Sequence, residues 1–276
     1  MLTIKKLAFI GGGNMAGALI GGLSRKGISG RQMTVADPSV DQQRHLAQEY
    51  GITATSDNAE AVKDAEVVVV AVKPQQMRTV ALGLCGALAA NRPLVLSVAA
   101  GIPHAALARW LGAGIPVVRT MPNRPALNGF GATGLFAPAS VGAAHRALAE
   151  SIMAAVSATV WVDHESQMDT VTALSGSGPA YFFLFMEALE AAARERGLPA
   201  DVAHQLTLET AFGAAQMARQ SADSLATLRE QVTSKGGTTA AALAVLDAAG
   251  LRAIVGHAVA AADRRSAELA AEFATP

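Results

Sequence analysis

Leu7-Ala8-Phe9-Ile10-Gly11-Gly12-Gly13-Asn14-Met15-Ala16 decides the fold. Four apolar residues, enough for a buried strand, run straight into three glycines and then into a helix-compatible stretch. With Ala16 at its last position this is the dinucleotide-binding turn of a strand-turn-helix unit. Gly11 permits the tight turn, Gly12 continues it, and Gly13 lets the backbone approach a pyrophosphate. Ala16 and Gly17 allow the helix to lie close to the strand, Asn14 is placed to orient the phosphate or a ribose, and Met15, also counted with the cofactor-binding residues, opens that helix. Twenty residues after Gly17, Asp37 closes a second strand, where a carboxylate accepts hydrogen bonds from the adenine ribose of NAD. Ser39 and Arg44 follow closely and suit the extra phosphate of NADP, so the residues leave the choice of cofactor open.

Working outward, apolar runs at 7–10, 33–36, 67–72, 94–98 and 117–120 predict strands, and polar-apolar periodicity at 15–26, 41–50, 75–89 and 103–111 predicts helices. This alternation implies a parallel sheet covered on both faces, which binds ligands beyond the carboxyl ends of its strands. Two more strand-like pieces, 132–136 and 159–162, flank a helical pattern at 141–157, for seven or eight strands in all. From about Asp163 the pattern is helical throughout: 169–174, 179–196, 199–219, 224–231, 239–249 and 251–269, with Pro199 suited to a helix start and Gly197 and Gly250 as stops. The expected fold class is therefore α/β, a Rossmann-like, mostly parallel sheet in residues 1–162 followed by an all-α domain in 163–276. Ala180-Tyr181-Phe182-Phe183-Leu184-Phe185-Met186 is apolar all round, and a thin layer of alanine-rich helices cannot hide it. The second half is expected to pack its helices against another copy.

The composition excludes several classes. The 22 basic and 22 acidic residues balance and form no basic face, which argues against nucleic acid or an anionic membrane as partner. The single cysteine, Cys85, allows no intrachain disulfide, and the six histidines never fall at metal-ligand spacing, so no metal is expected. Apolar runs such as 67–72 are far short of the ~20 residues of a membrane span. Lys5 and Lys6 precede too few apolar residues for a signal peptide, so a cytoplasmic protein is expected.

A second motif, Ser234-Lys235-Gly236-Gly237-Thr238-Thr239, stands at the mouth of an alanine-rich helix. Adjacent glycines let backbone N–H groups converge, and the helix adds the positive end of its dipole, a combination that grips a small anion. Opposite chemistry lies in Ala71-Val72-Lys73-Pro74, which ends a buried strand where loops meet a nucleotide. A nucleotide grip and an anion grip together suggest a reductase of a small acid.

These blocks, with Ser97-Val98-Ala99-Ala100-Gly101-Ile102, Met121-Pro122-Asn123 and Leu174-Ser175-Gly176-Ser177-Gly178-Pro179-Ala180-Tyr181, occur in the order seen in pyrroline-5-carboxylate reductases, which the chain resembles over nearly its whole length. The resemblance implies reduction of the cyclic imine 1-pyrroline-5-carboxylate to L-proline by NADPH, with NADH possible. It also implies a homodimer, in some members stacked into rings, with the active site where the cofactor cleft meets helices of the dimer. By the same resemblance Asn58, Ala71, Val72, Lys73, Pro74, Ala99 and Ala100 line the cofactor. Glu165, Gln231, Ser234, Gly236, Gly237 and Thr238 contact the substrate, and Thr239 assists at the ring nitrogen. A protonated imine is already electrophilic, so positioning and a neutral hydrogen-bonding group suffice, and a hydroxyl both donates and accepts. Two residues depart from the family pattern: Arg124 stands where threonine is usual, and Lys235 where proline is. Two other readings compete, a reductase of another cyclic imino acid and a non-catalytic nucleotide-binding regulator. The β-hydroxyacid dehydrogenases, similar in fold, need a catalytic lysine, and this chain has none between Lys73 and Lys235.

Overall fold

A computed structural model describes residues 4–274. Eight strands, β1 (Leu7–Ile10), β2 (Met33–Ala36), β3 (Thr53–Thr55), β4 (Val67–Val70), β5 (Leu94–Ser97), β6 (Val117–Pro122), β7 (Gly131–Phe136) and β8 (Ser157–Trp161), form one sheet. The strand order is β3-β2-β1-β4-β5-β6-β7-β8. Every neighbouring pair is parallel except β6 and β7. The first six strands thus have the doubly wound dinucleotide-binding order, with the switch at β1 between β2 and β4.

The continuous apolar runs are explained by two cores, one on each face. Leu7 and Phe9 of β1, Val67 and Val69 of β4 and Leu94 and Leu96 of β5 belong to one core. Ala8, Ile10, Val68, Val70 and Val95 belong to the other. Because side chains alternate across a strand, every residue of β1 and β4 is buried. Connecting the strands are α1 (Asn14–Arg25), α2 (Val40–Tyr50), α3 (Asn58–Val62), α4 (Pro74–Leu88), α5 (His104–Leu111) and α6 (Ala143–Met153). Two of these pieces, β3 and α3, were not expected from the sequence. The three residues of β3 are partly exposed and carry no apolar run, and they are held by pairing with β2 and by Asp37 N–H donating to Thr55 O at 3.1 Å.

After β8 come α7 (Gln167–Val171), a π-turn at Thr172–Gly176, then α8 (Gly178–Glu195), α9 (Ala200–Gln220), α10 (Leu225–Gln231), α11 (Thr238–Ala248) and α12 (Leu251–Ala274). The chain forms two compact units. The sheet unit runs to Ser177 and regains the chain from Ala261, while Gly178–Ala260 forms the helical unit. Sequence character changes near 163, but α7, the π-turn and the end of α12 stay with the sheet unit. Thr170 Oγ1 donates to Asp263 at 2.7 Å, Ser266 Oγ donates to Asp169 at 2.7 Å, and Phe273 packs on the second core.

Within the helical unit α8 and α9 pair, and His204 on α9 meets Glu190 on α8 at 3.0 Å. Large apolar side chains remain uncovered, among them Phe182 at 70% and Phe212 at 62% exposure. Among the described residues no single helix is long and apolar enough to cross a membrane.

Candidate functional site: a dinucleotide cleft and an anion loop

At the carboxyl ends of β1, β2 and β4 a cleft of about 360 Å³ opens. It is lined by Gly11, Gly13, Asp37, Asn58, Val72 and Lys73, among others. The glycines are there for distance. Gly11 has φ +91°, and a Cβ on it would lie 2.7 Å from the carbonyl oxygen of Ala71. Gly13 caps α1 without a side-chain hydrogen bond, and a Cβ there would meet nothing within 4 Å. The first-turn N–H groups of α1 therefore face open space with the positive end of the helix dipole behind them, which fits a pyrophosphate.

Asp37 ties the cleft together. Its Oδ2 accepts from Gly12 N–H at 2.7 Å and its Oδ1 from Ser39 N–H at 2.8 Å. Gln42 Nε2 donates to Gly12 O at 2.5 Å, and Gln43 Nε2 to Asp37 O at 2.6 Å. Ser39 caps α2, its hydroxyl accepting from Gln42 N–H at 3.3 Å, and Arg44 pairs with Asp41 at 3.3 Å. These glutamines have no motif spacing, which is why sequence reading missed them. Lys73 caps α4 with Pro74 at its first position, and Asn58 opens α3. Ala99 N–H donates to Ser97 Oγ at 3.4 Å just beyond β5. Gly12, Asn14, Met15, Ala16, Ser39, Pro74, Ala99 and Ala100 stand outside the lining set of this cleft.

The anion loop lies in the helical unit, where α11 begins at Thr238, one residue earlier than the expected Thr239. Gly236 has φ +72°, the left-handed conformation that favours glycine. Gly237 caps α11 with no side-chain bond. Its own N–H donates to Ser234 O at 3.1 Å, so the open donors begin at Thr238 and Thr239. A Cβ on Gly237 would fall 2.3 Å from Ser234 Oγ. Gln231, at the end of α10, donates to Asp223 at 2.9 Å. Lys235 is exposed.

Glu165 stands in the sheet unit, and it is not solitary. Its Oε1 accepts from the Arg119 guanidinium of β6 and from His104 N–H, at 2.5 Å, at the start of α5. Arg119 is only 7% exposed. A lone arginine in the apolar run 117–120 was a signal that an acid had to meet it, because an unpaired buried cation is costly. Burial lowers the pKa of the His104 imidazole, with Glu165 as the chief opposing influence. Asn123 bridges the end of β6 to two neighbours: Nδ2 donates to Ser175 O at 3.0 Å, and Oδ1 accepts from Ala132 N–H at 2.8 Å. Ser175 lies in the π-turn, which is closed by Ser177 N–H donating to Thr172 O at 2.9 Å. Arg124 is exposed. Among the described residues no group of three or more His, Cys, Asp or Glu is placed to hold a metal ion.

Comparison with known proteins supplies the decisive observation. The chain is 49% identical over 272 residues to a pyrroline-5-carboxylate reductase of Pseudomonas aeruginosa, covering 99% of each chain. The chain belongs to the pyrroline-5-carboxylate reductase family. A family model described as pyrroline-5-carboxylate reductase dimerisation matches residues 165–269. One described as NADP oxidoreductase, coenzyme F420-dependent, matches 6–101 and so takes in the glycine turn and the cleft. Among solved structures, the fold is similar to a pyrroline-5-carboxylate reductase from Coxiella burnetii, with TM-score 0.94, 42% identity and coverage of 97% of this chain and 99% of that one. It is also similar to a pyrroline carboxylate reductase from Plasmodium falciparum with NADP bound, at TM-score 0.84, 28% identity and 98% and 99% coverage. Family membership makes the helical segment, where the phenylalanines stand uncovered, a dimerisation domain, and the protein a nicotinamide-dependent oxidoreductase.

Proposed function

We propose that the protein is a pyrroline-5-carboxylate reductase that converts 1-pyrroline-5-carboxylate to L-proline, using NADPH or NADH. The observation that carries this reading is the 49% identity to such a reductase over 99% of both chains. Residues 1–162 hold the cofactor and 163–276 serve dimerisation and substrate, a division supported by the match of the dimerisation model to 165–269. Two copies form the working homodimer, and dimers can stack into a ring.

Gly11, Gly12, Gly13 and the start of α1 hold the pyrophosphate, Asp37 the adenine ribose, and Asn58, Val72 and Lys73 the rest of the cleft wall. When bound, the reduced nicotinamide supplies the hydride that the imine carbon takes up. The chain's own task is orientation. N–H groups of Thr238 and Thr239, with the Ser234 hydroxyl beside them, hold the substrate carboxylate, a role supported by the uncapped start of α11. The Thr239 hydroxyl stands at the ring nitrogen, where it donates or accepts as the protonation state requires. Glu165 borders the ring with its charge already balanced by Arg119, so it contributes hydrogen bonding more than a net field.

The test is consumption of NADPH and NADH by purified protein offered the five-membered imine and its six-membered analogue, with proline followed by chromatography. Thr239→Val is expected to lower kcat on the order of tenfold or more while cofactor affinity holds. Equal turnover by that variant removes Thr239 from the mechanism. Cofactor binding without turnover of either imine favours the regulator.

A further inference from the structure

We propose that Asp37 makes this enzyme select NADH over NADPH. The inference rests on reading the cleft as the dinucleotide site, and it starts from how the carboxylate is held. Each of its oxygens accepts a backbone N–H, from Gly12 at 2.7 Å and from Ser39 at 2.8 Å. Gly12 is part of the glycine turn itself, and Gln42 pins its carbonyl. Asp37 is therefore built into the turn and cannot swing aside without loosening it. Each oxygen keeps a second lone pair for a ribose hydroxyl, and Asp37 lines the cleft.

A ribose 2′-phosphate carries about −1.5 to −2 charges at neutral pH, and it would be pressed against this fixed carboxylate. The groups that could offset it stand outside the cleft lining or two strands away from Asp37. The Ser39 hydroxyl accepts from Gln42 N–H to cap α2, Arg44 pairs with Asp41, and neither lines the cleft. The cation that does line it, Lys73, follows β4. Asp37 follows β2, and with β1 between them the two lie two strand spacings apart, roughly 10 Å. The charged group that lines the cleft on the side of the adenine ribose is thus the Asp37 carboxylate.

The experiment measures binding rather than turnover. Dissociation constants of NADH and NADPH are obtained by energy transfer from protein to nicotinamide fluorescence, for the wild type, Asp37→Asn and Arg44→Ala. NADPH is expected to bind the wild type ~10-fold or more weakly than NADH at 0.1 M salt, as a like-charge contact at partial solvent exposure implies. Asp37→Asn is expected to narrow that ratio at least several-fold, and Arg44→Ala to leave it unchanged. Equal or tighter NADPH binding by the wild type overturns the proposal. So does a selective loss of NADPH affinity in Arg44→Ala, which would make Arg44 a phosphate clamp. Because binding is read without imine, failure of the reductase assignment would leave these constants intact and show only in turnover.

Discussion

Strand β1 and helix α8 are both apolar, yet Leu7 to Ile10 are wholly buried while Phe182, Phe183 and Leu184 stand open. The difference lies in geometry. A parallel strand has neighbours on both edges and helices on both faces, so one chain can close its apolar surface. A helix apolar all round needs cover on every side, and a short helical segment cannot supply it alone. The sheet unit therefore closes its apolar surface within one copy, while the helical unit leaves its own open, as fits a segment matched by a dimerisation family.

That contrast can be broken most severely at the open face. Phe182→Asp or Phe212→Asp should weaken association between copies by roughly 3–5 kcal/mol, since burial of the ring is lost and a carboxylate must be desolvated. Sedimentation should show monomers at micromolar concentration, while NADH still binds the sheet unit. If the variants stay associated, the exposed phenylalanines are not what joins the copies. A related sign is that wild-type thermal unfolding should depend on protein concentration.

Inside the closed unit the next largest effect concerns the Arg119–Glu165 pair, and here the two partners should not be equivalent. Glu165→Ala leaves a buried guanidinium uncompensated and should cost about 3–5 kcal/mol in denaturant unfolding. The Glu165 side chain is 33% exposed, so after Arg119→Met it can be hydrated, and the cost should be only about 1–3 kcal/mol. The reverse order would mean that Arg119 reaches water in a way its burial denies.

The legible parts of this protein are those written locally. Strand runs of four apolar residues, the glycine turn and the Gly-Gly-Thr-Thr loop each carry their meaning within ten residues, and β1, β2 and the start of α11 lie within a residue of where the pattern puts them. What was not legible depends on partners distant in sequence. Thr53–Thr55 becomes a strand only because β2 offers an edge. Nothing near Glu165 in the sequence shows its partner, Arg119, which β6 brings to it across 46 positions. Gln42 matters because α2 lies over Gly12, 30 positions away. The return of the chain to the sheet unit at Ala261 is invisible in an unbroken helical pattern, because periodicity reports that a face is apolar but not which unit covers it.

The smallest effect sharpens what closure does to a titrating group. His104 sits at the start of α5, its ring edge-on to Phe136 with centroids 6.4 Å apart. Burial is the leading cause that holds its pKa below the ordinary 6.5, with Glu165 and a backbone hydrogen bond to Val117 opposing and Arg119 assisting. The folded protein therefore keeps this ring neutral in a window just below pH 6.5 where the unfolded chain has begun to bind a proton. Stability from this site is fully present above pH 6.5 and falls as pH drops through that window, because the unfolded state binds more protons there. His104→Gln should flatten the fall, a change of about a degree or two in Tm between pH 7 and 5. The direct measurement is the NMR titration of the His104 ring, expected below 6.5 in the wild type. In Glu165→Gln it should move lower still, since the charge that favours the imidazolium is gone while Arg119 remains. A midpoint at or above 6.5, or an upward move in that variant, would mean the imidazole is hydrated and that this corner of the sheet unit is as open as the helical one.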